Sequence, residues 1–432
     1  MKGLAALLLL LSCLAFPAGP SSAEEGTLLD LEACIALALA NHPDLRSGAA
    51  RTEGAEAVIR QKEAALRPTV ELSSSFKEKE GSDSSTAEAA VNQLLSDGGR
   101  TKASIRIAHY GRDGKARDLE RTRQTVAYDV KEAYFGLLKA RKDYLLALET
   151  AEIYREQLEK AKVSYETGTV ARSDVTAAQV DLSQAELDVI KTRSSRDVAK
   201  AELSKSLGLL VLAGGYDIAD VEDDREVSFS FEEAFARARE FRPDLKSLEF
   251  SLLEAEETVR YQSLGLNPQL SASGGYDWSD GSSSSSGGEW AVGLSLAIPL
   301  YDGGLTAAKT AEARASLAET QADYDSQLQQ VALEVRTALL EIDEARQNIA
   351  ATEMTVLQAR ENLDLSMGRY AVGVGYQLEV RQATEDYNEA RKEANAARYD
   401  YSLALASLEK ALGGEIDRAG KAEEHEKEVS RG

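Results

Sequence analysis

The sequence predicts a mainly α-helical fold with a β-barrel part, built as a duplicated repeat in which a long coiled-coil helical hairpin is joined to a β-hairpin. Three observations carry that reading. From Val130 to Tyr165, alternating steps of three and four residues meet Val130, Ala133, Leu137, Ala140, Tyr144, Ala147, Ala151, Tyr154, Leu158, Ala161 and Tyr165. Apolar residues recurring every 3.5 positions keep one stripe against a neighbour, and alanine at alternate seam positions lets backbones approach closely. The same register returns 205 residues later, on Val335, Ala338, Ile342, Ala345, Ile349, Thr352, Val356, Ala359, Leu363, Ser366 and Tyr370. Finally, Trp290, Val292, Leu294, Leu296, Ile298 and Leu300 alternate with Ala291, Gly293, Ser295 and Ala297, an apolar face backed by a small, polar-tolerant one. A strand of about ten residues with this dyad suits a transmembrane barrel. A strand of a soluble sandwich carries the same pattern. Trp278 and Trp290, flanking the loop before it, favour the membrane, because indoles collect at the lipid interface.

Composition narrows the function. The 432-residue chain has a net charge of -23, so nucleic acid is not an expected partner, since phosphate recognition needs a basic footprint. Only three histidines occur, and there is no Gly-rich phosphate loop, no histidine pair at metal spacing and no nucleophile motif. No enzyme activity, metal or cofactor is expected. Residues 1–23 read as a signal peptide, with Lys2, an apolar run from Leu4 to Phe16, and Ser21-Ser22-Ala23 as a cleavage site. Cys13, behind Leu10-Leu11-Ser12, offers a lipoprotein box as the alternative. With cleavage at Ala23 only Cys34 survives, so no internal disulfide forms, and its alanine-leucine surroundings make it a small core residue. No later run of 18 apolar residues supports a membrane-spanning helix.

Repeat 1 occupies 24–224. Leu28 to Asn41 is predicted as a helix stopped at His42-Pro43, and a second helix runs from Asp44 to Leu66, ahead of Pro68. The β-hairpin 69–95 follows: a strand over Thr69 to Lys77, a polar loop from Glu80 to Ser85, and a weaker strand over Ala87 to Leu95. Asp97-Gly98-Gly99 is a turn, from which the long helix starts near Thr101. The tip 165–174 breaks it, Ser173 or Asp174 caps the return helix, and that helix ends at Gly208. Leu209 to Val227 is a linker. Repeat 2, 225–414, answers each element: Arg242-Pro243-Asp244-Leu245 for His42-Pro43-Asp44-Leu45, Pro268 for Pro68, and Asp302-Gly303-Gly304 for Asp97-Gly98-Gly99. Its β-hairpin spans 269–301 around a serine-glycine loop from Gly281 to Gly288, its tip is 370–379, and its return helix runs from Gln377 to Leu412. A charged, flexible tail, 415–432, ends the chain.

Geometry limits the assembly. A helix of about 60 residues rises about 90 Å and needs partners of equal length, which the return helix stacked on the pre-strand helix supplies. Four strands cannot close a barrel, and an open edge in hydrocarbon leaves backbone groups unpaired. Chains must share the barrel. Two give eight strands, filled by side chains; three give twelve, wide enough for a lumen.

Over nearly the whole mature chain the sequence resembles the TolC family of outer-membrane efflux proteins. The resemblance is carried by the paired Ala-Leu-Ala-Asn-His-Pro-Asp-Leu and Phe-Arg-Pro-Asp-Leu segments, the proline before each first strand, the two Asp-Gly-Gly turns, and the tips Tyr165 to Asp174 and Tyr370 to Glu379. It implies a homotrimer whose 12-stranded outer-membrane barrel continues into a periplasmic α-barrel. The implied task is that of a passive exit duct in a tripartite efflux or type I secretion system, with a periplasmic adaptor, an inner-membrane RND or ABC pump and outer-membrane lipid as partners. It also implies that Gly168, Asp174, Tyr370, Gly373 and Glu379 form the periplasmic gate and touch the adaptor. Gly373 would supply a positive φ, Asp174 would accept a bond from the Tyr370 hydroxyl, and Glu379 would form an acidic ring around the axis. The plain alternative for these residues is an N-cap or a solvated helix face. Gly375 stands where some members carry a gate-tying arginine, and Gln382 where a second aspartate occurs. The rival reading is a soluble periplasmic coiled-coil structural or adaptor protein, which would share the helical hairpins but would lack tryptophan-capped dyad strands.

Overall fold

The computed structural model describes residues 28–79, 82–210, 216–221, 225–281 and 284–416. The expected signal peptide, 1–23, lies outside the described residues. Repeat 1 opens with a two-residue strand β1 (Leu28–Leu29), then α1 (Leu31–Asn41) and α2 (Pro43–Ala64). Strands β2 (Thr69–Lys79) and β3 (Ser82–Ser96) lead into α3 (Arg100–Glu166), and α4 (Arg172–Ser206) returns. After β4 (Asp217–Ile218), repeat 2 supplies α5 (Phe231–Phe241), α6 (Pro243–Ser263), β5 (Gln269–Gly281), β6 (Ser284–Ala297), α7 (Leu305–Ala371) and α8 (Gln377–Leu412). Helices α3 and α7 each hold 67 residues, so each rises about 100 Å. Gly111 and Gly114 lie within α3, and the Gly114 backbone packs beside Ser247 of α6.

Duplication is legible in the core. Cys34, Ala38, Leu45, Val126, Val130, Leu203 and Leu207 form one buried cluster, and Ala234, Ala238, Leu245, Val331, Val335, Leu408 and Leu412 form the other. Cys34 is wholly buried, and burial, then the Asp30 carboxylate, pushes its thiol up to about 11. The positive-φ glycines repeat too: Gly98, Gly99, Gly168 and Gly208 find Gly303, Gly304, Gly373 and Gly413 at a constant spacing of 205.

Several boundaries differ from the sequence reading. Leu28 and Leu29 are not helical but pair in parallel with Asp217 and Ile218, so the expected linker holds a strand. The hairpin strands outrun their apolar segments. Ser284 to Gly288, expected as loop, belong to β6, and Ser82 to Thr86 belong to β3, because ladder hydrogen bonds extend a strand whatever its side chains. At its other end β6 stops at Ala297 instead of Tyr301, where Pro299 has no N–H to continue the ladder. The tail expectation fails at its start. Ile416 is buried in the second core, and its carbonyl accepts from Arg225 at 2.7 Å.

Helical tips, strand junctions and sheet faces as the candidate functional site

The sheet runs β2-β3-β5-β6, antiparallel throughout, with β2 and β6 as edges. Its register separates two faces. Val70, Val91, Gly274 and Val292 stand in one row, and Leu72, Ala89, Tyr276 and Trp290 in another on the same side. The row between them is Glu71, Ala90, Gly275 and Ala291, and the row beyond the second is Ser73, Glu88, Asp277 and Glu289. Successive residues of a strand point to opposite faces, so one side is apolar and the other carries carboxylates. Trp278 lies two residues from Tyr276 on the apolar side; Trp290 is 75% exposed in the single chain.

Pro68, Asp97, Gly98 and Gly99, with Pro268, Asp302, Gly303 and Gly304, were expected as barrel turns. They sit where strands meet helices. The chemistry explains the placement. Asp97 accepts from the Gly99 amide at 3.1 Å and the Thr101 amide at 2.6 Å; Asp302 accepts from Gly304 at 3.0 Å and Thr306 at 2.7 Å. Each carboxylate satisfies amides that a helix start leaves without partners, and paired left-handed glycines bend the chain from strand to axis. Asn267 of repeat 2 donates to the Gly98 carbonyl at 2.9 Å, joining the two junctions.

At the tips, Gly168 and Gly373 adopt the same φ of 76°. Thr169 donates to the Ser164 carbonyl and Gly168 to Tyr165, while Val374 donates to Arg369 and Gly373 to Tyr370. This paired closure satisfies the last carbonyls of α3 and α7. Ala171, not Ser173 or Asp174, is the N-cap of α4; Asp174 lies in the first turn, where its charge still favours the helix N-terminus. Among the described residues the Tyr370 hydroxyl makes no hydrogen bond to Asp174. The two are electrostatically coupled: burial, then the Asp174 carboxylate, raises the phenol above its usual range. Glu379 is not a free carboxylate, since Arg369 lies 3.5 Å away. Gly375 serves the turn, its amide donating to the Arg369 carbonyl at 3.1 Å.

Sequence reasoning missed two features here. Val372, Val374, Tyr376 and Leu378 leave an exposed apolar tip on repeat 2, foreshadowed by an uncharged run from Ala371 to Leu378 in a highly charged chain. Arg381 reaches Asp181 at 3.5 Å, tying α8 to α4 just behind the tips. No pattern in a single sequence pairs them.

Long helical hairpins under a two-faced sheet define a membrane channel with a helical extension. The outer membrane efflux protein model matches residues 34–209 and 235–414, so the chain belongs to that family. It is 27% identical to the outer membrane protein TolC of Vibrio cholerae, over 86% of this chain and 88% of that one. Protein CyaE of Bordetella pertussis is 27% identical over 94% and 88%. Among solved structures, the Campylobacter jejuni CmeC outer membrane channel superposes with a TM-score of 0.79 at 18% identity, covering 90% of this chain and 86% of that one. CusC gives 0.78 at 20% identity, over 90% and 94%. The protein is an outer-membrane efflux channel of that family, with a periplasmic helical portion.

Proposed function

We propose that three copies close one 12-stranded barrel, β6 of each pairing with β2 of the next, above a continuous α-barrel. The observation that carries this is the two-faced, open-edged sheet. Its apolar rows suit lipid and its carboxylate rows suit water, while an unpaired edge in hydrocarbon costs several kcal/mol per group. Exposed Leu187 and Ile190 on α4, and Leu333 and Leu340 on α7, supply apolar flanks for neighbouring copies. Trp278 and Trp290 anchor the barrel at the interface.

The duct is passive and has no catalytic role. A periplasmic adaptor docks on the tips, to which the apolar Val372, Val374 and Tyr376 suit a protein partner, and an RND or ABC pump in the inner membrane drives transport. Gly168, Asp174, Tyr370, Gly373 and Glu379 line the periplasmic mouth, with Arg369 moderating the charge of Glu379. Native mass measurement of detergent-extracted protein, with conductance in planar bilayers, tests the reading. A trimer that conducts is expected, and a monomer stable in buffer without detergent overturns it. Glu379→Gln should lower cation preference; unchanged selectivity removes the acidic ring.

A further inference from the structure

A half-open pocket of about 510 Å³ lies in the periplasmic part, where α1, α3, α5 and the end of α8 converge. Both repeats build it. Ile35, Leu39 and Phe241 give an apolar wall, and Gln124, Arg237 and Lys410 face them. Its polar groups are unevenly satisfied. Arg237 donates through Nη2 to the Glu415 carbonyl at 2.8 Å, but its Nε and Nη1 are shielded from solvent and have no hydrogen-bond partner among the described residues. Gln124 donates through Nε2 to the Gly413 carbonyl at 2.7 Å, which orients its Oε1 as a buried acceptor without a donor among the described residues. The Lys410 ammonium rests 4.1 Å over the Tyr128 ring and makes no ion pair among the described residues.

The pocket's carboxylates mostly have cationic partners already. Glu409 pairs with Lys131 and Arg225, and Glu120 with Arg123, leaving Glu415 exposed at the rim. Burial holds the Arg237 guanidinium below its ordinary value with no carboxylate among the described residues acting against it, and burial likewise lowers Lys410. Shielded donors without partners are costly and favour a ligand that supplies them. In a chain of net charge -23, this is a local site for an anion.

We propose that this pocket binds a carboxylate carrying a neighbouring amide N–H and a small apolar group, the chemistry of an N-acylated amino acid or a peptide C-terminus. The carboxylate takes the free donors of Arg237 with Lys410 nearby, the amide N–H donates to Gln124 Oε1, and the side chain lies on Ile35, Leu39 and Phe241. Acetate lacks the donor and the apolar group, and inorganic phosphate lacks the apolar group.

The probe is N-acetyl-L-leucine, titrated by calorimetry into the assembled, detergent-solubilised protein. Saturable binding is expected, with N-acetyl-L-leucinamide, acetate and phosphate each about tenfold weaker or more, as one charge-assisted bond allows. Arg237→Gln should weaken binding about tenfold, Arg237→Lys less, and Gln124→Leu should reduce the advantage over acetate to what the apolar group supplies. Arg239→Gln, exposed on the same helix, should change nothing. Matched unfolding midpoints identify variants whose fold is intact. No saturable binding, equal binding of the neutral amide, or undiminished binding to folded Arg237→Gln overturns the site. Conductance is not read, so the outcome is independent of the duct.

Discussion

The two repeats share a backbone turn but fill it differently. His42 joins α1 to α2, its ring accepting from the Asp44 amide at 3.3 Å, and the Asp44 side chain is 72% exposed. Arg242, at the matching place, is fully buried. Its Nε and Nη2 donate to the two Asp244 oxygens at 2.9 and 2.5 Å, and Nη1 reaches Glu334 at 2.5 Å. Gln327 also donates to Asp244, at 3.1 Å. The surrounding shape is the same in both: the glycine ending α4 packs against His42, and the glycine ending α8 packs against Arg242. Proline and glycine therefore set the turn, and the charge cluster is an addition that pins α6 to α7 and, through Arg121, approaches α3.

That comparison breaks most sharply at Arg242. Arg242→Leu strands Asp244 and Glu334, and removing one partner of a buried pair costs about 3–5 kcal/mol. His42→Leu leaves only exposed groups and should cost about 0.5 kcal/mol. Thermal unfolding of the extracted protein should show a large drop in the midpoint for the first and almost none for the second. Equal drops would mean that the ion cluster does not distinguish the repeats.

The strand junctions differ more subtly. Gly98 and Gly303 have similar φ, 65° and 69°, but a Cβ on Gly98 would lie 2.4 Å from the Asn267 Cβ, whereas one on Gly303 meets nothing within 4 Å. Gly303→Ala pays only the left-handed strain of about 1–2 kcal/mol. Gly98→Ala should lose more, because Asn267 must move and release the Gly98 carbonyl. Unfolding midpoints of the two variants compare them directly.

Acid should also separate the repeats. Burial alone would raise the Asp244 carboxyl, but hydrogen bonds and charge from Arg242, with the Arg121 charge, outweigh it and hold the group below the ordinary 3.8. A depressed folded value stabilises the protein above the unfolded value, and this is lost as pH falls through the folded one. Wild type should therefore lose stability below about pH 4 more steeply than Asp244→Asn. Parallel acid profiles would show that Arg242 does not act through this carboxylate.

How much of this was legible beforehand follows physical range. Local rules reached the heptad seams, the proline stops and the left-handed glycines, because spacing and backbone sterics are written within a few residues. The face pattern of β6 was equally local. The ends of the hairpins were not, since Ser284 to Gly288 are strand only because β5 offers a ladder opposite them. Nor was the Arg242 cluster, whose partner Glu334 stands 92 residues away, or the tie between Arg381 and Asp181. At the tips the turn glycines were foreseeable, but the cap of α4 shifted to Ala171 because the extended residue, not the best capping side chain, marks where a helix begins.

The smallest expected difference lies at the starts of α1 and α5. Asp30 caps α1 through one bond, accepting from the Ala33 amide at 2.7 Å. Ser230 caps α5 reciprocally, accepting from the Glu233 amide at 3.2 Å while Glu233 accepts from the Ser230 amide at 3.0 Å. Ser230→Ala removes the side-chain acceptor for about 1 kcal/mol, so amides in the first turn of α5 should exchange with deuterium about fivefold faster. Asp30→Asn keeps an acceptor in the same place and should leave exchange in α1 almost unchanged. If Asp30→Asn instead speeds exchange as much as Ser230→Ala, charge rather than hydrogen bonding holds the first helix. The two repeats would then start their short helices by different physics despite a shared geometry.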